Sequence, residues 1–145
     1  MSHTIDHNIA CVRNFIDQIW NRQQVTRLDD YLGADYVDHA YTPPNVNGLL
    51  KILSEMQTAF PNALQAIESM TVQDDMVVCR IVLSATHLGP FRNVPASGSK
   101  VRVNVYRSFR FQHGKIVEHW ALLDTASLLR QIGSAVSSQN ACVVV

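Results

Sequence analysis

Neither sign of charge dominates this chain. Twelve lysines and arginines offset twelve aspartates and glutamates. No net field therefore draws in phosphate backbones or anionic lipid, and nucleic-acid and membrane-surface binding are disfavoured. Long apolar runs are missing as well: none reaches the roughly 20 residues of a bilayer-spanning helix. The opening residues Met-Ser-His-Thr-Ile-Asp-His lack the basic start and apolar block of a secretion signal, so a cytoplasmic protein is the expectation. Cysteine is scarce. Cys11, Cys79 and Cys142 are odd in number and widely spaced, which gives neither a disulfide framework nor a zinc motif. The first two read as small core hydrophobes. Cys142 opens a C-a-a-X-like ending, Cys-Val-Val-Val, but with valine last and no basic run before it, it reads as a coincidence of an apolar tail.

What remains is ordinary globular composition, 47% apolar and 17% charged over 145 residues, read as one domain over 1–133 and a tail over 134–145. Ile9, Val12, Phe15, Ile16, Ile19 and Trp20 recur at helical spacing after a possible cap at Asp6 or Asn8. A shorter helix is expected from Val25 to Leu32, stopped by Gly33, then a short strand over 35–39. A third helix spans about Gly48 to Ala59, with Pro61 ending it. From there the period becomes two. Strands are expected over 64–73, 76–87, 99–112 and 115–124, with tight turns at Asp74-Asp75 and His113-Gly114, and a last helix over 125–132. Helices first and an antiparallel meander afterwards indicate an α+β fold, with helices on one face of a curved sheet.

A two-residue turn at His113-Gly114 sets Asp124 opposite Val103, Leu122 opposite Val105, Trp120 opposite Arg107 and Glu118 opposite Phe109. On that register Ile116, Glu118, Trp120, Leu122 and Asp124 face the covered side. His119, Ala121 and Leu123 face outward with Tyr106 and Val117, a mixed surface suited to a subunit contact. In the earlier hairpin Val77, Cys79, Ile81, Leu83, Ala85 and His87 point inward, joined by Glu68, Met70 and Val72. Arg107 and Glu118 would then form a buried ion pair, and Arg107 would lie over Trp120. Asp124 closes an apolar face, where desolvation disfavours its charged form and prepares a general acid or base; the competing reading is a helix cap. His87 ends the neighbouring inward face, and pairing through the 88–98 loop is expected to bring it near Asp124. His39, beside Tyr41, is placed at the mouth of a pocket. No spacing matches a metal motif, so no metal is expected.

Several stretches together carry a family resemblance: Trp20-Asn21, Tyr36-Val-Asp-His39, Phe60-Pro61, Thr86-His87-Leu-Gly89, Val94-Pro-Ala-Ser-Gly98, Gly114-Lys-Ile-Val-Glu-His-Trp-Ala-Leu-Leu-Asp124 and Leu128-Leu129-Arg-Gln-Ile-Gly133. Over roughly Ile9 to Gly133 the sequence resembles the SnoaL-like polyketide cyclases of the nuclear transport factor 2-like fold. The resemblance implies a cone-shaped α+β barrel, a curved antiparallel sheet wrapped around N-terminal helices. It also implies a dimer through the outer sheet face, and a cofactor-free aldol closure with an aspartate of the last strand as acid/base, the position of Asp124. The histidine such cyclases carry on the preceding strand is missing from Val105-Tyr-Arg-Ser-Phe-Arg-Phe111, a departure that bears on the substrate.

The function expected is cofactor-independent chemistry on a hydrophobic carbonyl compound, by aldol-type cyclisation or isomerisation. Asp124 would move the proton, and His87 or a pocket tyrosine would stabilise the enolate. Trp20, Tyr36, Phe60, Phe91 and Trp120 are the aromatic walls, with His39 and Arg107 as polar contacts. The alternatives are a non-catalytic dimeric ligand-binding module of the same fold, and an epoxide-hydrolase-like enzyme with Asp124 and Arg107 holding a water.

Overall fold

The structure, a computed structural model, describes residues 2–133. The tail over 134–145, and with it the reading of Cys142, lies outside the described residues. Asn8, Cys11, Val12, Phe15, Ile16, Ile19 and Trp20 are all buried, along one face of helix α1 (Ser2–Phe15) and the π-helical segment Ile16–Asn21 that continues it. A 3₁₀ turn (Val25–Asp30) leads into strand β1 (Leu32–Asp38). Helix α2 (Val46–Ala59) starts at Asn45, whose side chain accepts from the Asn47 amide, and buries Leu49, Ile52, Leu53, Met56 and Ala59. No helix among the described residues is long and apolar enough to cross a membrane.

Strands β2 (Leu64–Gln73), β3 (Met76–Thr86), β4 (Lys100–Gln112) and β5 (Lys115–Leu123) form the expected meander, and α3 (Thr125–Gln131) follows. The strand before α2 joins them. Among the described residues the five strands form one sheet in the order β1-β5-β4-β3-β2, with β1 parallel to β5 and the other pairs antiparallel. It is curved and unclosed, with the N-terminal helices packed on its inner face, an α+β fold. Both tight turns are two-residue hairpins: Gln73 pairs Met76 with Asp74 at φ 54°, and Gln112 pairs Lys115 with His113 at φ 51° and Gly114 at φ 75°.

The alternation predicted for β3 and β4 is the one observed. Val77, Cys79, Ile81, Leu83, Ala85 and His87 are buried, as are Val103, Val105, Arg107, Phe109 and Phe111. On β5 it holds only at the start. The ladder slips between Arg110 and Phe111: Phe111 pairs Ile116 but Arg110 pairs Glu118, which leaves Val117 as an extra residue. One inserted residue reverses every later side chain. His119, Ala121 and Leu123 are therefore buried, opposite Phe109, Arg107 and Val105, while Trp120 and Leu122 are exposed. The inward placement expected for Glu118, Trp120, Leu122 and Asp124, and the outward one expected for His119, are both corrected by this bulge. A second slip, between Ile67 and Ser69 of β2, leaves Glu68 exposed instead of inward.

Candidate active site

The inner face of the sheet and the helices line a narrow, partly open cavity of about 20 Å³. Its apolar wall is Ile52, Met56, Leu83, Val105, Ala121 and Leu123; its other lining residues are Trp20, Tyr41, Gln65 and Arg107. Arg107 is a buried guanidinium whose partners are neutral. Nε donates to Gln65 Oε1 at 3.0 Å and Nη1 to the Tyr41 hydroxyl oxygen at 3.0 Å. Its Cζ lies 4.0 Å above the centre of the Trp20 ring. Gln65 is itself fixed from the helix side: Asn21 donates from Nδ2 to the Gln65 carbonyl at 3.1 Å and accepts from its amide at 2.7 Å.

Behind Arg107 stands a buried acid–imidazole pair. Arg107 Nη1 is 3.3 Å from His119 Nε2. A guanidinium can only donate, so Nε2 accepts and Nδ1 carries the ring proton, donated to Asp38 Oδ1 at 3.1 Å. Asp38 is fully buried, and its carboxylate also accepts from the Ala40 amide at 3.0 Å and from the Tyr36 hydroxyl at 2.5 Å. Burial pushes the Asp38 carboxyl up, but the His119 bond, the charge His119 carries once protonated, and the bonds from Tyr36 and Ala40 together outweigh it and hold the group below the usual carboxylate range. Burial lowers the His119 imidazole; the Asp38 bond opposes this and the Arg107 charge adds to it. The resting pair is a carboxylate beside a neutral imidazole, and backbone pairing aligns it, because Asp38 and His119 are direct partners across the parallel β1–β5 ladder.

Of the residues expected at a site, the structure brings Trp20 and Arg107 into the cavity wall and Tyr36 into the network behind it. The others lie elsewhere. Asp124 is half-buried as the cap of α3, its Oδ1 accepting from the Ser127 amide at 3.1 Å. His87 is buried at the far end of β3, where Nδ1 accepts from the Ser97 amide at 3.2 Å and sits 2.9 Å from its hydroxyl. Phe60 and Phe91 pack on each other at 5.3 Å, with Phe60 5.4 Å from the His87 ring. His87 and Asp124 are not neighbours: His87 bonds Ser99, just before β4, and Asp124 bonds Asn104 within it, about 17 Å further along the extended chain. His39 and Trp120 stack face to face at 4.7 Å on the outer side, where Trp120 is 36% exposed. Glu118 is out there too, bonded to His39 at 2.7 Å and Arg110 at 2.5 Å, in place of the expected pair with Arg107. The cation–π contact of Arg107 exists, but with Trp20 rather than Trp120.

Sequence reasoning missed Asp38, Tyr41, Gln65 and His119 as a group. Asp38 alternates with Tyr36 on one face of a short strand, a signal that was legible; His119 was hidden by the bulge. Among the described residues no three His, Cys, Asp or Glu side chains converge as metal ligands.

A family model for SnoaL-like polyketide cyclases matches residues 10–132. The chain belongs to the SnoaL-like polyketide cyclase family. Its solved relatives include AclR of Streptomyces galilaeus, described as a candidate hydroxylase: 28% identity over 87% of this chain and 95% of that one, TM-score 0.76. IdmH of Streptomyces antibioticus, a candidate polyketide cyclase, is 24% identical over 87% and 98% of the two chains, TM-score 0.78. A SnoaL-like polyketide cyclase of Agrobacterium tumefaciens is 19% identical over 87% and 98%, TM-score 0.73. At the lower identities the likeness is one of fold, which carries many chemistries. No curated protein matches the sequence significantly.

Proposed function

We propose that this SnoaL-like protein catalyses cofactor-independent proton transfer on a hydrophobic carbonyl compound, by aldol-type cyclisation or isomerisation, with His119 as the acid/base. The observation that carries the proposal is the buried neutral imidazole of His119, oriented by Asp38 on one nitrogen and facing the cavity guanidinium with the other. Once Arg107 releases Nε2, that nitrogen takes a proton from the carbon next to the carbonyl. The C–H electron pair moves onto the carbonyl oxygen, and the Arg107 charge stabilises the enolate. The enolate carbon then attacks a second carbonyl of the same molecule, His119 returning its proton to the new alkoxide, or the proton is returned at another carbon. Asp38 stabilises the transient imidazolium. Asp124, the expected acid/base, serves in this proposal as a helix cap.

The test is exchange of the α-protons of a hydrophobic ketone in D₂O, followed by NMR. Wild type and Asp124→Asn are expected to accelerate the exchange, and His119→Asn to lose it. Exchange that survives in His119→Asn and is lost in folded Asp124→Asn returns the role to Asp124. One observation favours a second reading, a binding module without chemistry: Nε2 of His119 already holds an Arg107 hydrogen bond. Ligand binding with no exchange above the solvent rate would establish it. Tyr106, Trp120 and Leu122, exposed together on the outer sheet face, support a homodimer formed there.

A further inference from the structure

The cavity wall holds hydrogen-bond donors that outnumber its acceptors. The Tyr41 hydroxyl oxygen accepts from Arg107 Nη1 at 3.0 Å, and its own hydrogen has no acceptor among the described residues. Trp20 Nε1 is buried and likewise has no partner among the described residues. Both residues line the cavity, and both are more than nine-tenths buried. Their ring centroids are 6.3 Å apart, and both are tied to Arg107, which stacks on one ring and bonds the hydroxyl of the other. The acceptors nearby are already used: Gln65 Oε1 takes Arg107 Nε, and His119 Nε2 takes Nη1. A buried donor left without an acceptor forfeits its hydration with nothing in return, so it is destabilising until a ligand supplies one. A cavity wall carrying two such donors beside a cation, and otherwise apolar, is complementary to an oxygen that only accepts.

We infer that Trp20 Nε1–H and the Tyr41 hydroxyl are the positioning donors of an acceptor-oxygen subsite, which takes the carbonyl or enolate oxygen of an otherwise apolar ligand. The inference rests on the reading of this cavity as the substrate site and adds the atoms that select the substrate. An apolar pocket discriminates little between ligands of equal shape. A pocket with unpaired buried donors rejects the isostere that lacks the oxygen. Trp20 therefore does more than form an aromatic wall: its ring supports Arg107 and its N–H reads the ligand.

The probes are acetophenone and its near-isostere α-methylstyrene, in which a methylene replaces the carbonyl oxygen. Binding to the full chain is followed by ¹⁵N–¹H NMR of the two indole N–H groups, with Trp120→Phe assigning the resonances. Acetophenone is expected to move the Trp20 indole proton downfield and α-methylstyrene to leave it in place. Tyr41→Phe is expected to weaken acetophenone about three- to tenfold without changing α-methylstyrene. Equal affinity for the two probes, or a Trp20 resonance unmoved by acetophenone at its solubility limit, overturns the inference. The readout is binding, so it is separable from the proton-transfer proposal: His119→Asn should keep the acetophenone shift while losing exchange.

Discussion

Asp38 and His119 are direct partners on adjacent parallel strands, with the carboxylate oxygen 3.1 Å from Nδ1, so backbone pairing itself delivers the acid–imidazole geometry. Charge on Asp38 is what would stabilise the imidazolium during proton transfer. Asp38→Asn keeps an acceptor for Nδ1–H but removes that charge, and should cut the exchange rate by about 10²- to 10⁴-fold, measured beside wild type at pH 7.

Acid should weaken the fold in two steps. Burial holds His119 below the ordinary histidine value of 6.5, so below that pH the unfolded chain binds a proton that the native one refuses. Stability therefore falls as pH drops from about 6.5, and this loss levels off once the native imidazole also protonates. Asp38, held below the ordinary 3.8, adds a second loss as pH falls below that value toward its native pKa. Denaturant midpoints measured from pH 8 to pH 3 should show both steps in wild type; His119→Gln should lose the upper step and shrink the lower one, because it also removes the partner that holds Asp38 low. A wild-type midpoint flat between pH 7 and pH 5 would count against a buried neutral His119.

Asp124 caps α3, and its removal should be a stability effect. Asp124→Ala should cost about 0.5–2 kcal/mol by denaturant unfolding, and Asp124→Asn much less, because asparagine caps as well as aspartate. Both should retain exchange activity.

Asn21 ties the end of the first helix to the backbone of Gln65, whose side chain holds Arg107 Nε. Asn21→Ala should destabilise the chain by about 1–3 kcal/mol, since it strips two hydrogen bonds from partly buried groups. It should also weaken acetophenone binding through Gln65 and Arg107, which calorimetry would register.

The outer patch should respond to charge. Leu122→Lys is expected to shift sedimentation from dimer toward monomer at micromolar concentration while leaving the far-ultraviolet spectrum unchanged. An unshifted sedimentation profile would remove that face as the contact.

The first helix, α2, the four meander strands and both turns could be read from periodicity and from Pro and Gly positions, because burying one face of a helix or strand writes a period into the sequence. β3 and β4 were legible residue by residue, since their two faces differ sharply in polarity. β5 was not. Ile116, Val117, Trp120, Ala121, Leu122 and Leu123 put apolar residues on both parities, so nothing in the sequence marks where a bulge falls.

By itself, then, the sequence determined the α+β class, the family resemblance and the inward face of Arg107, but not the aromatic it meets, which is Trp20 and not Trp120. Only the tertiary structure decided which carboxylate and which histidine meet. That choice turns on the extra residue Val117 in the β5 ladder and on β1 joining β5 in parallel, two pairings between segments far apart in the chain. Long-range register is set by packing, and local side-chain chemistry carries no record of it.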